Sequence, residues 1–475
     1  MFHFIANLKP YTFHRGRGNR RFDAYLLSAD YFDENEKLAH EVTTENRILV
    51  ADNGNVDLIT GLMKQHKTAA KILDTARKEE ERKLGIHYAR PGQLSTQLQD
   101  RFRQFANDLA LSSEAAIDDS HIRTTLAEQL AMSPSYLIGM EDFAIVCMTG
   151  LNIEPEYSCL PSSYYEERIE RPLEFAIDTL NGKYGYCDSR VFAGLHAMDY
   201  DTAYLAGKKA AENGLNAIAT GLVGALRDKN SVDFRVEKGA LIEFPKSLPR
   251  PYLRTMEIAT GIHQGYREHT GTNPEFHALG AGTPILLPLF SLLAEKGTYF
   301  ATDSTSPIID GWTASTTSLY VDQPAPLKLK AHRIAQFWLE DGRGWDCQCP
   351  YCRHFMQAYP PNLQKAKAWW KAEGSPKLSK SSLYSSSPLS NWLPILSNPE
   401  DPTLRREAAL TRVAHNHWVV KKIESDIREH QSSKQAMRNW VENVMGAYME
   451  SGASSRWKAS ALEAWKIANA FSKGS

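Results

Sequence analysis

Phe276-His277-Ala278-Leu279-Gly280-Ala281-Gly282 is followed by Thr283-Pro284, an apolar segment that closes at Lys296-Gly297, and then Thr298-Tyr299-Phe300-Ala301-Thr302-Asp303. Two short apolar runs flanking a helix-length segment read as one strand–helix–strand unit. Pro284 near a helix start and Gly297 just past its end agree in placing a helix over 283–296.

The same alternation recurs outward from this stretch. Tyr136–Asp142 reads as a strand ending in carboxylates, and Val191–His196 as another. A helix from about Thr202 to Asn213 follows and is stopped by Gly214. Leu215–Gly221 is the next strand, and a helix around Tyr252–His269 leads back to Phe276. Upstream, Arg47–Gly54 reads as a short buried strand ending in a turn, and residues 62–130 are helical in pattern. Strands alternating with helices over this length predict an α/β chain with a parallel sheet. The expected fold is a (β/α)8 TIM barrel, which carries its chemistry at the C-terminal ends of the strands. Asp52, Asp142, Gly221, Gly282 and Asp303 all fall at such ends and are expected to ring one mouth.

Composition sets limits on function. The 475 residues are 42% hydrophobic and 23% charged, with a formal net charge of −1. Such a chain is an ordinary globular protein and not a polycation, so any nucleic-acid contact must come from a local basic face. No apolar stretch approaches the ~20 residues of a membrane span, and the N-terminus shows no secretory pattern. A cytoplasmic, membrane-free location is expected. The first ~45 residues read as polar and aromatic, with a basic patch at Arg15, Arg17, Arg20 and Arg21 that is either a solvated loop or a phosphate-contacting arm.

Three of the six cysteines, Cys347, Cys349 and Cys352, fall within Cys347-Gln348-Cys349-Pro350-Tyr351-Cys352. Three thiolates on one tight turn make three corners of a tetrahedral zinc site, and a histidine must supply the fourth. His354 and His417 compete for that role with His415. A Lys/Trp-rich stretch around Trp369 and Trp370 and a Ser/Lys/Pro-rich segment from Gly374 to Ser390 read as a mobile insertion. The tail is helical, with Trp418, Trp440, Trp457 and Trp465 as packing anchors. The expected organisation is a barrel over 1–346 with an N-terminal helical insertion, a zinc-binding subdomain over 347–418, and C-terminal helices over 419–475.

These motifs resemble those of the tRNA-guanine transglycosylase superfamily. The resemblance rests on Asp52-Asn53-Gly54-Asn55, the Gly-rich Leu279-Gly280-Ala281-Gly282-Thr283-Pro284 followed by Phe300-Ala301-Thr302-Asp303, and the cysteine run with Ala414-His415-Asn416. It implies that Asp303 is the nucleophile, because exchange with retained sugar configuration needs a covalent intermediate on a carboxylate. It implies Asp52 as general acid/base and His415 as fourth ligand of a structural zinc. Asp142, with Glu141 as competitor, would accept hydrogen bonds from the donor edge of guanine. Gly221 would let the backbone approach the base, His196 stands where the family often has a base-reading Gln, and Gly282 belongs to the Gly-rich loop of the base site.

Two departures resemble the DNA-acting branch, the DpdA-type transglycosylases that place 7-cyano-7-deazaguanine (preQ0) in DNA. Ser304–Trp312 lacks the Arg-bearing stretch of tRNA-modifying members, and the interval from Cys352 to His415 is long. The implied activity is exchange of guanine in DNA for preQ0, in some members beside an ATPase-like helper protein. A tRNA-acting enzyme and a catalytically silent nucleic-acid-binding paralogue are the alternatives.

Overall fold

Alternate residues along the strands divide between two apolar cores, and that division builds the barrel. Ile5, Leu26, Val50, Ile138, Phe192 and Ala301 pack together in one core, whereas their neighbours Phe4, Tyr25, Leu49, Leu137, Ala193 and Phe300 belong to another. Side chains on a strand point alternately to its two faces, so the first set fills a barrel and the second meets the helices around it. A computed structural model describes residues 1–9, 22–86, 88–90, 92–153, 160–227, 231–237, 240–312, 317–342 and 345–474. The basic patch at Arg15, Arg17, Arg20 and Arg21 lies outside these residues.

In chain order the strands are β1 (Phe2–Asn7), β2 (Ala24–Ser28), β3 (Ile48–Asp52), β4 (Tyr136–Glu141), β5 (Arg190–Gly194), β6 (Ala217–Gly221), β7 (Ser231–Glu237), β8 (Ala240–Pro249), β9 (Glu275–Leu279), β10 (Phe300–Asp303), β11 (Ser318–Val321) and β12 (Leu327–Lys330). Eight of them close a barrel in the order β1-β10-β9-β6-β5-β4-β3-β2. All of its pairings are parallel. The (β/α)8 expectation holds. The antiparallel hairpins β7–β8 and β11–β12 are additions in the segments after β6 and β10. Register pairs Ser28 with Asp52, Ile5 with Asp303, Glu141 with Gly194 and Gly221 with Leu279, so these residues gather at one end.

Three local expectations are corrected. The first ~45 residues, expected as polar and aromatic, contain β1 and β2, and every residue of β1 is buried. His3 in β1 disguised it, but that side chain is held at the barrel base by Arg428 Nη2, 3.0 Å from Nδ1. The helix expected over 283–296 spans only Leu286–Ser291. Its last turn tightens through Leu292 N to Leu289 O and Leu293 N to Phe290 O, and Asn273 Nδ2 donates to Leu293 O. The segment from Gly374 to Ser390 is packed and not mobile: Trp370 Nε1 donates to Pro376 O at 2.8 Å, and Leu378, Leu383 and Leu389 are buried.

Those leucines share a small separate core with Cys349, Cys352, Phe355 and Trp370, to which Leu319, Ala331 and Trp338 contribute from before the cysteine run. The C-terminal helices Lys434–Glu450 and Ser455–Lys473 bury Met437, Val441, Ile467 and Phe471 in the outer barrel core. Trp457 packs at a tilt against Tyr252, with ring centroids 4.8 Å apart, while remaining 37% exposed. Among the described residues no helix is long and apolar enough to cross a membrane.

Candidate active site and metal centre

Cys349 caps the N-terminus of the helix Pro350–Ala358, its sulfur accepting from Cys352 N at 3.3 Å, and Cys349 N donates to Cys347 Sγ at 3.4 Å. This local turn folds the three sulfurs inward. From the long helix Pro402–His430, His415 brings Nδ1 to 3.3 Å from both Cys347 Sγ and Cys349 Sγ. All four ligand atoms lie within 4.8 Å of one another. The edges of a zinc tetrahedron with these atoms are about 3.5–4 Å, so the cluster can hold such an ion.

Two further observations fit a bound metal. His415 Nε2 lies 2.7 Å from Tyr320 O, which places the ring hydrogen on Nε2 and leaves Nδ1 as a lone-pair donor. Arg412 is fully buried, and it donates hydrogen bonds to the neutral carbonyls of Gly311, Ile395 and Ser397. Burial pulls its pKa down to about 10, and the charge of Cys352 opposes that fall. Three thiolates and a neutral imidazole around a zinc ion would carry one net negative charge, which this guanidinium would offset. His354 is exposed, and His417 packs edge-on against Phe22 with its Nδ1 near Val413 O, so His415 is the histidine that joins the cluster.

At the mouth, β3 ends in Asp52 and β10 in Asp303. Asp303 is 6% exposed, and its Oδ1 accepts from Gly280 N at 3.0 Å and lies 3.2 Å from His277 Nε2. Gly280 reaches this position with φ +75, a left-handed conformation natural to glycine. A Cβ on Gly282 would lie 2.5 Å from Ser304 Cβ and 2.8 Å from Phe4 Cε2, so the Gly-rich loop lies flat against β1 and the residue after Asp303. Burial first, then the charges of Glu141 and Asp303, push Asp52 up to about 7, against the Asn53 backbone hydrogen bond that favours its anion. The turn behind it is fixed by Asn53 Nδ2, which donates to Gly139 O at 2.9 Å, and by Gly54, whose φ of +74 lets the backbone pass against Asp30.

The two candidates for base reading separate clearly. Asp142 is buried as the N-cap of the helix Phe143–Gly150, with Oδ1 accepting from Ala144 N at 2.8 Å and Oδ2 3.3 Å from Arg168 Nη1. Burial raises its pKa while Arg168 opposes the rise. Glu141 instead reaches the mouth, where Oε1 meets His196 Nε2 at 2.9 Å. The His196 ring lies over Gly221: a Cβ there would sit 2.5 Å from His196 Cε1. Backbone approach of a base at Gly221 therefore requires the imidazole to move.

Asp52, Glu141, His196, Gly221, Gly282 and Asp303 are thus brought to one mouth, with Asp142 behind it. Sequence reasoning missed His277. Its signal was a polar residue at a central inward position of a strand whose inward neighbours in register, Ala219 and Ala301, are both alanine. No protein-family model and no curated protein sequence matches this chain.

Proposed function

We propose that this chain is a nucleic-acid guanine transglycosylase that exchanges guanine in DNA for a 7-deazaguanine such as preQ0, with zinc as a structural ion held by Cys347, Cys349, Cys352 and His415. One observation carries the reading: a carboxylate anchored by two donors, Asp303, shares a barrel mouth with a second carboxylate, Asp52, whose pKa is about 7. Such a pair suits a nucleophile and a proton carrier that works near neutral pH.

In the first half-reaction an Asp303 oxygen attacks the sugar carbon while the carbon–nitrogen bond to guanine breaks. The electron pair leaves on the base, and Asp52 supplies the proton. In the second half-reaction the incoming base loses its ring proton to Asp52, attacks the same carbon and returns the electron pair to Asp303. Two inversions retain the configuration. Glu141, placed beside His196 in the mouth, accepts from the donor edge of the base in preference to Asp142, whose oxygens are engaged within the protein. A DNA substrate would present its guanine flipped from the stack. What favours DNA is the absence of an Arg-bearing stretch after Asp303, where Ser304–Trp312 stands instead.

The test offers labelled preQ0 or guanine with DNA and with tRNA in parallel, with and without an ATPase-like helper protein. Label entering DNA and lost in Asp303→Ala supports the proposal. Label entering tRNA alone moves the substrate to RNA, and polymer binding without exchange points to a silent binding subunit.

A further inference from the structure

His277 has no role in the reading above, yet it touches the carboxylate at its centre. Its ring is fully buried in the barrel, below the mouth, with Phe192 edge-on at 6.3 Å. Nε2 faces Asp303 Oδ1 at 3.2 Å, while Nδ1 is buried with no hydrogen-bond partner among the described residues. One ring nitrogen must donate to the carboxylate, and a second N–H would be stranded in an apolar interior. The hydrogen therefore sits on Nε2, and Nδ1 keeps a bare lone pair.

We infer that His277 is a positioning residue for Asp303: with Gly280 N it pins Oδ1, so that Oδ2 is the atom that bonds to the sugar carbon and leaves from it. This rests on the transglycosylase reading and adds a step-specific consequence. In the free enzyme Oδ1 belongs to an anion, and the bond from His277 is charge-assisted. In the sugar ester Oδ2 carries the new bond, Oδ1 is a neutral carbonyl, and the same hydrogen bond is about half as strong. His277 therefore favours the free carboxylate over the ester. It helps the C–O bond break when the incoming base attacks, and the returning electron pair is received on Oδ2. Removing the donor leaves the enzyme caught in the covalent state.

The experiment compares wild type, His277→Phe, which fills the same space without a donor, and His277→Gln, whose Nε2 amide restores one. Each is mixed with a guanine-containing DNA oligonucleotide, and in parallel with a guanine-containing RNA, without an incoming base. The denatured, covalently shifted protein is then measured on a gel, and its decay is followed after adding free guanine. The expected result is a ratio of adduct to free enzyme about five- to tenfold higher in His277→Phe, with correspondingly slower decay and a return toward wild type in His277→Gln. A merely structural role would lower adduct formation and turnover together. An unchanged or smaller ratio in a folded His277→Phe protein, with wild type forming adduct, overturns this inference alone. No adduct in wild type on either polymer overturns the Asp303 assignment, and this inference with it.

Discussion

Replacing Asp52 by asparagine should make the protein more stable and inactive. In the folded chain burial and the charges of Glu141 and Asp303 hold the Asp52 proton up to about 7, against an ordinary 3.8. A carboxyl whose pKa is raised by folding stabilises the native state only while protonated. The cost of ionising it therefore begins as pH rises through 3.8 and is complete above about 7. A rise from 3.8 to about 7 corresponds to about 4 kcal/mol, a ceiling because solvent reaches the mouth. Asparagine removes the charge and keeps the shape. For a chain of 475 residues the unfolding entropy is about 1 kcal/mol per degree, so the gain is at most about 4 °C. The assay is thermal unfolding of both proteins, at one scan rate, from pH 4 to pH 8. Their midpoints should nearly coincide at pH 4, diverge across the interval to 7, and run parallel above it with Asp52→Asn higher. A variant that is less stable, or whose difference from wild type does not change with pH, would refute the electrostatic account of the mouth.

Asp303→Asn should retain the fold and lose exchange by about a thousandfold or more, read as label incorporation together with absence of adduct. Cys349→Ala should bind less than one equivalent of zinc by elemental analysis and unfold several degrees lower, since an opened structural site loses folding energy. Gly265→Ala tests the fold alone: its Cβ would sit 2.0 Å from Tyr204 O, where the helices Tyr200–Glu212 and Arg250–Thr270 meet backbone to backbone. Overpacking there should cost about 3 kcal/mol in denaturant unfolding.

The barrel was legible because β3, β4, β5, β6, β9 and β10 are short apolar runs bounded by glycine, carboxylate or turn residues. The first two strands were not, since polar residues at His3 and Asn7 interrupt β1 and their burial depends on partners hundreds of residues away, as with Arg428. The cysteine–histidine cluster was legible for the opposite reason. Cysteine spacing within one turn is local, and only the choice among three histidines needed the fold. At the mouth, sequence placed Asp52 and Asp303 at strand ends. It could not divide Glu141 from Asp142, because a register shift between Ile138 and Glu141 decides which of two adjacent carboxylates leaves the barrel wall. His277 escaped for a related reason: a polar residue inside an apolar strand gains meaning only from what lies opposite it.

The Cys3His cluster and the carboxylate mouth are joined by one helix. Pro402–His430 supplies His415 to the cluster, and in the adjacent turns it clasps the segment that follows Asp303. Asn416 Nδ2 donates to Pro307 O at 3.2 Å and to Ser318 O at 3.1 Å, and Arg412 Nε donates to Gly311 O at 2.8 Å. Gly311 lies so close to this helix that a Cβ would sit 2.6 Å from Val413 N. The helix Ser306–Trp312 begins three residues after Asp303 and is thus held from both ends by side chains flanking His415. A metal held there with no open coordination position would still bear on the proposed reaction by this route. By tying His415 to the cysteine turn it would fix the helix that carries Arg412 and Asn416, whose side chains hold the backbone leading out of β10. Asp303 is then restrained on two sides, by His277 and Gly280 N at Oδ1 and by the clasped segment downstream.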